Sequence, residues 1–254
     1  QLSLTLSGSQ IGSTIYDVCV FLNSTVPTLA AGPAWSNSTA GASARGTGAG
    51  TPQLQRVNGI WVNQVQITGL NGGNTYTIAA NQCTYVGSIL TDTSAGQVST
   101  YVSYGQSRKW GVWNAYNRQR IVLQAGDSTI GWQYNTATIR PSNNASTNSL
   151  TLFSGLAEEP YDMTFQQGVQ NSGAGSTTAQ IGVGFNSITS FGVSTIGSMV
   201  GTGNVGNTTI ASRLINAPAL GTNTVTALEK GGGGTNDGFF GTQTFMNLMA
   251  WWRG

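Results

Sequence analysis

Apolar residues in this sequence recur at every second position, in short runs repeated from one end of the chain to the other. A strand turns successive side chains to opposite faces, so such runs read as half-buried β-strands. In Ile15–Leu22 one face carries Tyr16, Val18, Val20 and Leu22, and the other Ile15, Asp17, Cys19 and Phe21. Ile60–Ile67 sets Ile60 and Val62 against Trp61, Asn63 and Val65. Further candidates are Thr84–Leu90, Gln119–Ala125, Ile130–Thr138, Ser149–Phe153, Tyr161–Val169, Ala179–Phe185, Thr189–Val200, Thr208–Leu214, Thr222–Glu229 and Phe239–Met246. The Leu, Glu, Lys and Arg that build amphipathic helices are scarce, while Thr, Val, Ile, Tyr and Trp dominate the apolar runs.

Turn chemistry separates the runs: Asn71-Gly72-Gly73, Ala125-Gly126-Asp127, Asn171-Ser172-Gly173 and Gly201-Thr202-Gly203-Asn204. Glycine takes positive φ there without steric cost, and Asn and Asp tolerate it. A dozen short strands punctuated this way predict an all-β chain, an antiparallel β-sandwich that is jelly-roll-like in its C-terminal part. A seam near Gln97–Gln106 divides it into an N-terminal β unit (1–98) and a larger sandwich (99–254). One continuous sandwich is the alternative. Pro33–Pro52 (PAWSNSTAGASARGTGAGTP) has a single apolar anchor, Trp35, and reads as a long exposed polar loop. Gly231–Gly234 lacks the Lys-Ser/Thr and the helix of a phosphate cradle, and reads as a flexible hairpin connection.

Only 7% of the 254 residues are charged, against about 25% in an ordinary soluble domain. Ser, Thr, Asn and Gln number 96, so polarity comes from uncharged groups. Ten basic and eight acidic residues leave +2, which excludes a polybasic nucleic-acid binder. The absence of histidine excludes a Ser-His-Asp triad, a Cys-His pair and His-ligated zinc. No cofactor site is legible. No window approaches a transmembrane span and none reads as a signal peptide, although the chain starts at Gln1. Cys19 and Cys83 form no metal or redox spacing. Both lie in apolar alternating runs, which favours buried free thiols over a bridge.

Glu158, Glu159 and Asp162, in LAEEPYD, form the one dense carboxylate cluster. Glycoside hydrolysis needs paired carboxylates, but adjacent residues of an extended chain point to opposite sides. A structural role is the better reading, with Arg118 and Arg140 as ion-pair partners, because buried charges need partners. Arg108, Lys109, Arg118 and Arg120 interleave with Trp110, Trp113 and Tyr116. This favours aromatic packing with arginines stacked on rings, and Trp110, Trp113, Tyr116, Trp132 and Tyr134 are expected in the sandwich core or at its edge. A sugar site on exposed Trp and Asn side chains stays open. The C-terminal Phe239, Phe240, Phe245, Trp251 and Trp252 read either as the closing strand or as an apolar patch covered by a neighbouring subunit.

The stretch Tyr85–Phe185 resembles a block found in virion surface proteins of tailed bacteriophages, of the fibre, spike and decoration kind. The resemblance lies in YVGSILTDTSAG (Tyr85–Gly96), KWGVWNAYNRQRIVL (Lys109–Leu123), GWQYNTATIRPSNN (Gly131–Asn144), LTLFSGLAEEPYDMTF (Leu150–Phe165) and IGVGFNS (Ile181–Ser187). LEKGGGGTNDGFFG (Leu228–Gly241) is more loosely similar to the terminal hairpin of the same group. It covers about 100 of the 254 residues well. The resemblance implies a β-rich, non-enzymatic structural module on the virion surface, exposed on the extracellular particle. It implies a homotrimer in contact with other virion proteins, and with a host-surface glycan if the chain is a receptor-binding tip. A polysaccharide depolymerase and a bacterial surface adhesin are the alternatives.

Overall fold

The computed structural model describes residues 1–102, 104, 108–172, 177–193, 195–201, 207–234 and 237–254. The turns Asn171-Ser172-Gly173 and Gly201-Thr202-Gly203-Asn204 fall partly outside the described residues. Strands occupy 54% of the chain and helix 3%, in several antiparallel sheets, so the all-β sandwich expected from the alternation is the architecture found. No helix among the described residues is long and apolar enough to cross a membrane.

The N-terminal part holds β1 (Ile15–Asn23), β2 (Val26–Ala34), β3 (Leu54–Val57), β4 (Ile60–Asn63), β5 (Ile67–Asn71), β6 (Asn74–Ile78) and β7 (Thr84–Leu90). Next come β8 (Thr100–Tyr101), β9 (Arg108–Trp110), β10 (Val112–Asn114), β11 (Arg120–Ala125), β12 (Gly131–Gln133), β13 (Ile139–Pro141), β14 (Ser149–Ser154) and β15 (Tyr161–Asn171). The remainder is β16 (Thr178–Phe185), β17 (Gly197–Val200), β18 (Asn207–Asn216), β19 (Gly221–Lys230), β20 (Asp237–Phe240), a single helical turn α1 (Thr242–Phe245) and β21 (Met246–Arg253).

Three sheets result. The first runs β3-β4-β7-β1-β2-β5-β6, with β10 added to β7. The second, six-stranded, runs β11-β21-β15-β20-β12, with β18 on the other edge of β15. The third, seven-stranded, runs β17-β16-β19-β14-β9-β8, with β13 on β19. Strands remote in sequence are neighbours here: β21 lies between β11 and β15, and β19 beside β14. The chain passes to the third sheet at β8 and β9 and returns to the first at β10.

The second and third sheets face each other. Leu123, Met163, Phe165 and Leu248 from one meet Leu150, Leu152, Ile181 and Val225 from the other, all fully buried. Alternation decides which residues enter: on β21, Met246, Leu248, Ala250 and Trp252 are buried while Asn247, Met249, Trp251 and Arg253 face out. A second apolar cluster joins the first sheet to the sandwich. Ile15, Trp35, Tyr85, Leu90 and Trp113 pack there with Phe153 and Leu156.

Several expectations need correction. The run Phe239–Met246 is two strands, because at Gly241 the chain turns against the 127–129 loop, where a Cβ would meet the Thr129 carbonyl at 2.1 Å. Among the described residues of Thr189–Val200 only β17 is strand. Ile60–Ile67 breaks after Asn63, whose amide donates to the carbonyls of Val65 and Ala79 and holds the turn. Tyr116 is 63% exposed and belongs to no core, whereas Trp113 is buried at the junction between the sheets. Trp110, Trp132 and Tyr134 flank the sandwich core.

Cys19 and Cys83 are bridged, not free. Their Cα atoms stand 5.5 Å apart, inside a cluster with Phe21, Ala30, Ile67 and Ile78. The pairing of β1 with β7 sets Cys19 opposite Tyr85, which brings Cys83 alongside. That pairing spans 64 residues of sequence and has no local signal.

Candidate functional site

Three polar constellations stand out, and two of them are structural. The first is centred on Asp17, buried on β1. Its carboxylate accepts the Trp35 indole N–H at 3.0 Å, the Ser88 hydroxyl at 2.7 Å, and the Arg45 Nε and Nη2 at 2.6 and 3.0 Å. Arg45 Nη2 also donates to the Gly155 carbonyl at 2.6 Å, tying the first sheet to the sandwich. Tyr85 hydrogen-bonds Ser88 at 2.7 Å and packs its ring against Trp113. Burial, reinforced by the Asp17 charge, pushes the Tyr85 phenol far above its ordinary pKa. Only a glycine fits at position 155, since a Cβ there would overlap the Tyr85 hydroxyl and the Trp113 ring. The 33–52 segment is therefore not simply an exposed loop: its tip is exposed, but Trp35 and Arg45 anchor it in the junction.

The second lies on β19. Glu229 is fully buried, accepts Arg140 Nε at 2.8 Å and the Trp132 indole N–H at 2.7 Å, and Arg140 stacks over the Tyr134 ring. Arg140 thus pairs with Glu229 and not with the 158–162 cluster, because β13 aligns with β19 and sets Arg140 opposite Glu229. Burial pushes the Glu229 carboxyl up from 4.5 to about 7, against the pull of Trp132 and Arg140. The folded chain then holds a proton that the unfolded chain releases between those values, so stability falls as pH rises through that window. The expected fall is on the order of 3 kcal/mol across it. Glu229→Gln should remove that slope from a plot of Tm against pH from 4 to 8, and an unchanged slope would sink the assignment.

The third gathers most of the remaining candidates. Arg118 pairs with Glu158, stacks over Trp113 at 4.5 Å, and lies 3.6 Å from Glu159. Asp162 pairs instead with Arg213, bidentately at 2.9 and 2.6 Å, because β15 and β18 set Arg213 opposite Thr164, one step away on the same outward face. Beside them an open cleft of about 330 Å³ is lined by Arg120, Glu159, Pro160, Asp162, Trp251, Trp252 and Arg253. The Arg120 guanidinium sits 5.6 Å from the Trp251 ring centre. Two carboxylates, two further arginines and an indole thus share one concave surface on the outer face of the second sheet. Arg213 and Arg253 carried no signal in the sequence, since their role depends on strand register.

Of the C-terminal aromatics, Phe239 and Trp252 are buried in the chain's own sandwich and are not oligomer contacts. Their positions on β20 and β21 point inward, and the Trp252 indole donates to the Phe153 carbonyl at 3.0 Å. Trp251 and Phe240 are half-buried and Phe245 is 44% exposed. Among the described residues no three His, Cys, Asp or Glu side chains gather as a metal centre would need. Compared with known proteins, the chain matches no protein-family model and no curated protein.

Proposed function

We propose that this chain is a non-enzymatic structural protein of a tailed-phage virion, a fibre, spike or decoration protein displayed on the particle surface as a homotrimer. The observation that carries the reading is where the phage-like motifs fall. Tyr85 and Ser88 of the first motif, Trp113 and Arg118 of the second, and Gly155 and Glu158 of the fourth meet at the junction of the first sheet with the sandwich. These six shared residues tie the first sheet to the sandwich, which supports a structural role for the block. An uncharged Ser, Thr, Asn and Gly surface over buried sheets suits a particle exterior that stays folded through long exposure. The trimer finds support at one end of the sandwich. There Phe240 and Phe245 pack at a tilt with centres 6.0 Å apart, and Ile130, 77% exposed, accepts the Gly241 N–H at its carbonyl. Contact with other virion proteins and with host-surface glycans follows from such a position.

Light scattering of the purified chain should give about three times 26.4 kDa; a monomer at micromolar concentration removes the trimer. Imaging intact particles with the chain located on them tests the rest. The depolymerase alternative has one observation in its favour, the presence of Glu159 and Asp162 in an aromatic cleft. Release of reducing ends from capsule or lipopolysaccharide by the purified chain would establish it in place of the structural reading.

A further inference from the structure

The cleft on the outer face of the second sheet contains two arginines without a carboxylate partner among the described residues, and one of them, Arg120, lies over the Trp251 ring with its centre 5.6 Å away. Strand register sets Arg120 on β11 directly opposite Arg253 on β21, both exposed. Like charges directly opposite across a strand pair are destabilising, and this chain has only ten basic residues to place. The two carboxylates of the cleft do not relieve the repulsion. Asp162 is held bidentately by Arg213, and Glu159 lies against Arg118. Neither Arg120 nor Arg253 has a carboxylate within 4 Å among the described residues. In the next row of the same face stands Trp251, between Val122 and Asp162. An apolar ring therefore lies beside two uncompensated guanidinium groups, in a hollow large enough for one or two sugar rings.

The geometry points to a binding site for a hexuronic-acid-bearing saccharide, with a pyranose face stacked on Trp251 and the sugar carboxylate held between Arg120 and Arg253. A planar carboxylate matches the fork of guanidinium donors, and bridging both cations removes their mutual repulsion. The indole supplies a flat apolar surface for the C–H face of a sugar, which a lone arginine pair does not. Concavity favours a saccharide over a flat protein partner. The inference rests on the reading of the chain as an exterior protein that meets bacterial glycans, and it narrows that glycan to an acidic one.

The test is titration of the full chain with trigalacturonic acid and with a hyaluronan tetrasaccharide, followed by tryptophan fluorescence and ligand-observed NMR. Carboxyl-reduced forms of both are the neutral controls, and an Asp/Glu hexapeptide is the acidic control. At least one acidic saccharide should saturate with a Kd in the millimolar range or below, and its reduced form should bind at least about tenfold more weakly. Arg120→Ser and Arg253→Ser should each weaken binding by about tenfold, and Trp251→Ala should abolish it. Trp251→Phe keeps an aromatic platform and should retain most of the affinity, which separates stacking from a folding defect. Absence of saturation by either acid, equal binding of the reduced forms, or binding that survives Trp251→Ala overturns the site. Equal binding of the hexapeptide overturns the saccharide and assigns the cleft to a protein partner. Particle imaging and light scattering fail or succeed independently of this titration, so the two readings fall separately.

Discussion

Arg45→Ala is expected to lower the unfolding free energy by about 3–5 kcal/mol, read as a shift in the urea midpoint without a change in slope. Asp17 and Arg45 are nearly inaccessible, with side chains 7% and 11% exposed. Removing the guanidinium leaves the Asp17 carboxylate buried with only the Trp35 and Ser88 donors. It also frees the Gly155 carbonyl and removes the cation that stacks on Trp35 at 4.2 Å. The loss therefore strikes the loop, the first sheet and the junction together. Asp17→Asn combined with Arg45→Met should recover part of it, since no unpaired charge then remains buried. A single-variant loss below about 1 kcal/mol would place the pair among weak surface ion pairs and refute the argument.

Reducing the Cys19–Cys83 bridge should cost about 4 kcal/mol, the loop-closure entropy expected for a 64-residue separation. The comparison is urea unfolding with and without a phosphine reductant, with the Cys19→Ala, Cys83→Ala double variant as the permanent form. Equal midpoints would show that the bridge adds nothing to an already packed cluster of Phe21, Ala30, Ile67 and Ile78. Cys19 lies two residues from Asp17 on β1, so this loss and that of Arg45→Ala are expected to be non-additive. A disulfide persists in oxidising surroundings and is rare in a reducing cytosol. Its presence agrees with a protein that works outside the cell, which is where the proposed function sets it.

The Arg45 effect falls at the junction between the first sheet and the sandwich, whereas the bridge lies within the first sheet. The Asp17 network, the Tyr85–Trp113 packing and the Arg118–Glu158 pair all bind the first sheet to the sandwich. A junction made of buried hydrogen bonds resists unfolding because water is kept out of it. The outer face of the second sheet has the opposite character, with exposed charge held on rigid strands, which is where a ligand can be met without cost to the core.

Local preference reaches only along a strand, and what it reaches was legible. The β-branched and aromatic runs, the missing helix formers and the Gly/Asn turns determine an all-β chain, and Thr84–Leu90 coincides with β7 to the residue. Trp251 and Trp252 read alike in the sequence, and only the extension of β21 to Arg253 turns one outward and the other inward. What alternation leaves open is which strand lies beside which. Cys19 meets Cys83, Arg140 finds Glu229 rather than Glu158, and Arg120 faces Arg253 only because particular strands pair in particular registers, and Arg45 reaches Asp17 because the 33–52 segment folds back onto β1. Those pairings are chosen by burying whole sheet faces against each other, a free energy summed over the entire core. No segment of the sequence contains that sum, so the partners of the rare charges were decided by the tertiary structure alone.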